Sequence, residues 1–327
     1  MHVDDFIIDL PLAEGGLLKD TRCRYAVWGH LNGAKDNLIL FPTRFGGTHE
    51  QNAFLIGEGM ALDPKDWCIV VPNMLGNGMS SSPSNTPGFP WVTHADNIEL
   101  QRRLLAERFQ DAPIAMATGW SMGAQQSYRW AVEEPDRVAR LVTFCGTART
   151  TPHNKVFLEG VLAALAADPR YGTNEAPLAG LRAAGRVYAG WAYSQPWVKR
   201  HGWQAETIRS IFGEMADVEA WLSDYWDKLF MARSAADITA CARTWMANDV
   251  ADGGDLAMAL GRITAKTLVM TATTDLYFTP ADCQAEAAMI PGAEYRDMQT
   301  DWGHMSGSGQ SAEDTAVMNA AIAEVLG

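Results

Sequence analysis

The chain reads as an α/β protein: a mostly parallel central sheet, helices on both faces, and a helical cap inserted before the last strands. Three observations predict this class. Short apolar runs recur with helical segments between them. One long stretch carries helix-like segments and no convincing strand. A serine between two glycines, GWSMG at 119–123, stands where a predicted strand turns into a predicted helix.

The apolar runs are NLILF (37–41), WCIVV (67–71), PIAMAT (113–118), RLVTFC (140–145) and TLVMTA (267–272). They are continuous rather than alternating, the pattern of strands buried on both faces of a parallel sheet. Helices are predicted at 95–109, where Ile98, Leu105 and Phe109 share a face, and at 122–134, 281–290 and 311–326. Regular alternation of strand and helix builds an open sheet covered on both sides. Between 150 and 255 the pattern breaks into segments such as KVFLEGVLAALAA and ADVEAWLSDYWDKLF, with six of the chain's twelve tryptophans. The expected organisation is therefore a core domain of 1–149 and 256–327 and a helical cap of 150–255. An aromatic-rich cap is suited to wall an apolar pocket.

Charge and cysteine usage exclude several functions. Across 327 residues, 39 acidic side chains face 26 basic ones, a net charge of −13. Such a surface repels nucleic-acid phosphates and anionic lipid headgroups, so neither partner is expected. No run approaches the roughly 18 apolar residues that span a bilayer. The five cysteines, at 23, 68, 145, 241 and 283, are odd in number and form no CxxC pair. They fit a reducing compartment better than a disulfide framework. The start, MHVDDFIIDL, lacks the basic and apolar regions of a signal peptide. A cytoplasmic location is the expectation.

GxSxG is a weak signal alone, and its context gives it force. PIAMAT, GWSMG and MGAQQSYRWAVEE read as strand, sharp turn and helix, the arrangement of a nucleophile elbow. Ser121 is the candidate nucleophile, with glycines removing Cβ atoms where strand and helix crowd together. A serine hydroxyl needs a base, and only His153, His201 and His304 follow Ser121 in the chain. The first two fall in the expected cap. His304, in TDWGHMSGSG after the last predicted strand, is the choice. Asp275, just beyond TLVMTA, is the expected acid, preferred to Asp301 because a triad acid normally stands at its own strand end. The oxyanion needs backbone donors. One is the N–H of Met122, and the other comes from PTRFGG after the first run. Trp120, next to the nucleophile, is the expected apolar substrate contact.

With these residues in position, the chain resembles the homoserine O-acetyltransferase family of the α/β-hydrolase fold over most of its length. The resemblance runs through YAVWGHLNGAKDNLILFPTRFGG, IGEGMALDPKDWCIVVPNMLG, FPWVTHADNIELQRRLLAERF, the GWSMGAQQSYRWA elbow, TPHNKVFLEGVLAALAADP, TATTDLYFTPADCQAEAAMIPGAEY and DWGH. It implies a Ser121–Asp275–His304 triad and the Arg44 N–H as second oxyanion donor. It also implies an acyl-serine intermediate, no metal or organic cofactor, and a homodimer built through the cap. Two positions depart from the family pattern. The transferases follow the catalytic histidine with an aspartate that helps bind the homoserine ammonium. This chain has Met305 there, and a thioether cannot pair with an ammonium. The family's carboxylate-binding cap arginine aligns with Gly185, one residue from Arg186, which a one-residue slip would bring into that role. The expectation is a serine hydrolase cleaving small carboxylic esters, acetyl esters foremost. The alternative is a homoserine O-acetyltransferase or a related acetyl-CoA-dependent O-acyltransferase.

Overall fold

A computed structural model describes residues 1–327. One eight-stranded sheet runs through the molecule in the order β1-β2-β4-β3-β5-β6-β7-β8. Its strands are β1 His2–Pro11, β2 Leu17–Trp28, β3 Leu38–Leu40, β4 Cys68–Pro72, β5 Ile114–Trp120, β6 Arg140–Phe144, β7 Lys266–Ala272 and β8 Glu294–Met298. The pairs from β4 through β8 are parallel, while β1–β2 and β2–β4 are antiparallel. The five apolar runs became β3 to β7 because each buries residues on both faces. Leu38 and Leu40 pack into one core, whereas Ile39 and Phe41 pack into the other.

Three strands lie outside the predicted runs. β1 and β2 form a hairpin of alternating exposed and buried residues, and β8 is the polar EYRDM at the opposite edge. Strands that keep one wet face read as alternating or polar, so a search for continuous apolar runs passes over them.

Helix α1 (His94–Arg108) and helix α2 (Met122–Glu133) lie close to their predicted bounds, as do the helices Pro280–Ala287 and Ala312–Leu326. Between β6 and β7 every regular element is helical, including α3 (Pro152–Ala166), α4 (Leu178–Ala192) and the helix Ala235–Met246. The chain leaves and re-enters the sheet domain side by side. Thr150 N donates to Asn248 O (2.9 Å) and Val250 N to Ala148 O (3.1 Å). The buried Glu286 carboxylate fastens this neck by accepting from Ala148 N (2.5 Å) and Arg149 N (3.0 Å). No helix is long and apolar enough to cross a membrane, and all five cysteines are free and buried.

His94 joins α1 to α2: its Nε2–H donates to Gln125 Oε1 at 3.1 Å, and its Nδ1 has no partner. Burial is the main cause that lowers its pKa to about 4, against an ordinary value near 6.5. Between those limits the unfolded chain binds a proton that the folded one refuses. The stabilisation is complete above about pH 6.5 and is lost as pH falls toward 4, on the order of 3 kcal/mol. Denaturant unfolding of His94→Gln is expected to show a smaller drop between pH 7 and pH 4.5 than the parent protein shows.

Candidate active site

The site is built where β5 ends. Ser121 follows Trp120 directly and has φ 60° and ψ −127°, a strained conformation for a residue with a Cβ. Its own N–H is held by Phe144 O of β6 at 3.0 Å. Three glycines permit the turn. A Cβ on Gly119 would collide with the Gly123 backbone, and one on Gly123 would reach Pro42 O at 2.6 Å. One on Gly146 would meet the Ala124 Cβ at 2.5 Å. Strand β5, helix α2 and the loop after β3 thus converge at backbone contact.

Two further loops bring groups to this point. Asp275 follows β7, and its Oδ2 lies 2.8 Å from His304 Nδ1. Its Oδ1 accepts from Tyr277 N (2.7 Å) and Phe278 N (3.1 Å), so the carboxylate has three donors and a fixed plane. His304, in the 3-10 turn Gly303–Ser308 after β8, is buried between the rings of Trp120 (4.9 Å) and Tyr277 (4.7 Å). Asp301 pairs instead with Arg200. His153 and His201 pack on Trp191 and Trp203 within the helical insertion.

The loop after β3 is clamped from several sides. Gln126 Nε2 of α2 donates to Thr43 O (2.9 Å), while Asn77 Nδ2 donates to Arg44 O (3.0 Å) and Gly47 O (2.7 Å). Asn77 Oδ1 accepts from Gly46 N at 2.7 Å. The Arg44 N–H itself donates to no protein group. Met122, whose N–H is the other expected donor, opens α2 directly after Ser121.

Ser121 and His304 line one cavity of about 400 Å³ with Trp120, Met305 and Arg44. The helical insertion contributes Tyr188 from α4, Phe230 and Arg233. A π-helical turn, Leu222–Asp227, adds Tyr225 and Trp226. Arg186 is not among the lining residues. Its guanidinium is spent on Asp227 (3.0 Å) and Glu219 (2.7 Å), which holds it away from the cavity and corrects its expected role in substrate binding. Gly185 packs against Phe230 and the Trp226 carbonyl, so no arginine stands at the family position either. Arg233 and Asn77 went unnoticed in the sequence. Arg233 sits in the bend between two helices with no motif, and Asn77 in a loop whose partner is 30 residues away.

Cys145, Asp275 and His304 offer three ligand atoms within 4.8 Å of one another. They suit a metal poorly. Burial pushes the Cys145 thiol well above its usual range, and His304 Nδ1 is already engaged by Asp275.

Residues 36–307 match the family described as the alpha/beta hydrolase fold. The chain belongs to that family. This α/β-hydrolase is 38% identical over 331 residues to an ethyl acetate hydrolase of Pseudomonas veronii, covering 97% of this chain and 93% of the relative. An acetylester hydrolase structure from Corynebacterium glutamicum superposes with a TM-score of 0.92 at 35% identity, covering 99% of this chain and 95% of that one. A homoserine O-acetyltransferase of Thermobifida fusca is more distant, 29% identical over 328 residues (90% of this chain, 86% of the relative).

The crowded elbow predicts unequal glycine sensitivity. Gly119→Ala is expected to lower the thermal midpoint by several degrees and to reduce labelling of the protein by a fluorophosphonate. Gly190→Ala, in α4 with nothing within 4 Å, is expected to leave the labelling unchanged and to raise stability by roughly 0.5–1 kcal/mol. Thermal melts and labelling rates of both variants check this.

Proposed function

We propose that this α/β-hydrolase cleaves small carboxylic esters, acetyl esters foremost, through an acyl-serine intermediate. The reading is carried by the Asp275–His304 pair, 2.8 Å apart, opening with Ser121 onto a cavity where Met305 replaces the ammonium-binding carboxylate of the transferases. The acetyl-ester hydrolases among its relatives support the same substrate class.

Ser121 Oγ attacks the ester carbonyl while His304 Nε2 takes its proton. Asp275 keeps the Nδ1–H tautomer and stabilises the imidazolium that forms. The N–H groups of Met122 and Arg44 hold the tetrahedral oxyanion, each worth about 3 kcal/mol in such sites. His304 then gives the proton to the departing alcohol and activates water against the acyl-serine. The insertion acts as a cap: its aromatic rings exclude bulk water and contact the alcohol part of the ester. Without Asp or Glu at 305, homoserine lacks the grip on its ammonium, so water is the acceptor.

Ser121→Ala is expected to lower kcat/KM for 4-nitrophenyl acetate and ethyl acetate by roughly 10⁴ or more, and Asp275→Asn by about 10⁴. Full activity in Ser121→Ala would end the triad assignment. Homoserine added with acetyl-CoA is expected to leave CoA release unchanged. Formation of O-acetylhomoserine would instead establish the transferase reading.

A further inference from the structure

The cavity holds two guanidinium groups and no acid paired with either. Arg44 comes from the loop after β3 and Arg233 from the helical insertion, and both line the space beside Ser121. Every ion pair in the protein involves other residues, and the exposed Glu50 at the rim reaches neither guanidinium within 4.0 Å. Arg44 Nη1 is cut off from solvent and makes no hydrogen bond. Its Cζ lies 4.6 Å from the Trp120 ring centroid, so the π face is its main electrostatic partner. Arg233 donates through Nη2 to Gly46 O at 2.9 Å. Its remaining donors have no protein partner.

The backbone is shaped around this pair. A Cβ on Gly46 would strike the Arg233 guanidinium, and one on Gly47 would strike that of Arg44. The two glycines of RFGG therefore hold space for two cations, and Asn77 fixes the loop that carries them through three hydrogen bonds. Burial, and then the neighbouring Arg233, pull the Arg44 pKa down to about 10. Two like charges in a partly dry cavity, with no counter-charge, are unfavourable by themselves. A bound anion would relieve that cost, and paired guanidinium forks match the geometry of a carboxylate.

We propose that Arg44 and Arg233 form an anion subsite that holds a carboxylate carried by the ester substrate. The inference rests on the ester-hydrolase reading for the role of the neighbouring Ser121, and it narrows the substrate class to esters with a free carboxylate. It is separate from the transferase arginine position, which is Gly185 here. The carboxylate can belong to the acyl part or to the alcohol part, and two substrate pairs distinguish them. Monoethyl succinate against ethyl 4-methylpentanoate places it on the acyl side. Acetoxybutanoate, with its acetoxy group at carbon 4, against 4-methylpentyl acetate places it on the alcohol side.

In one pair, kcat/KM for the anionic ester is expected to exceed that of its neutral isostere by about tenfold or more. Arg233→Met is expected to shrink that ratio by a similar factor, mainly through KM, and Arg233→Lys to restore part of it. Calorimetry with succinate supplies a readout free of turnover: binding to Ser121→Ala is expected, and its loss when Arg233→Met is added. Neutral isosteres preferred in both pairs, or equal losses on both members in Arg233→Met, would overturn the subsite. Esters cleaved without charge preference, and no succinate binding, would leave the hydrolase reading standing alone. Arg233-dependent succinate binding in a protein that cleaves no ester would do the reverse.

Discussion

The rest of the site depends on the backbone-to-backbone crossing of β5, α2 and the loop after β3 around Ser121. Gly119, Gly123 and Gly146 let three stretches of backbone meet where side chains would keep them apart. The result is a serine at φ 60° on a sharp turn, projecting from the sheet with the first amides of α2 beside it. The strain of such a residue is on the order of 1–3 kcal/mol, and it persists only where the surroundings over-determine it. Here they do: Phe144 O holds the serine N–H, and Gln126 ties the elbow helix to the facing loop.

From that crossing the remaining chemistry follows the sheet. Parallel strands deliver their C-terminal ends to one edge, so β7 supplies Asp275 and β8 leads into His304. The acid is held by two backbone donors as well as the imidazole. A carboxylate so satisfied keeps its orientation against the imidazole. Trp120, tilted, and Tyr277, edge-on, pack against the imidazole, which restricts its rotation.

The helical insertion contributes shape and charge. Its aromatic core, in which Tyr188, Trp226 and Phe230 pack on one another, lines the cavity. Its neck is short and held by backbone pairing at 148–150 and 248–250, with Glu286 beneath. In a chain of net charge −13, two unpaired guanidinium groups in one cavity are conspicuous.

The sequence by itself determined the sheet's central strands, the elbow and the pairing of Asp275 with His304. The strands and the elbow are legible because they are local: a strand buried on both faces must be continuously apolar, and a strained turn must carry glycine; the acid and the base are legible because chain order and strand ends leave few candidates. The hairpin β1–β2 and the edge strand β8 were illegible as apolar runs because each keeps a wet face. Arg186 looked available in the sequence, one position from where an arginine was sought. Only the fold showed that Asp227 and Glu219, 41 and 33 residues on, had taken it. Arg233 is the converse: unremarkable in a bend between two helices, it meets Arg44 from 189 residues away (233 minus 44) in one cavity. Which charges are paired and which are left facing a substrate depends on docking the insertion onto the sheet, and no local pattern encodes that docking.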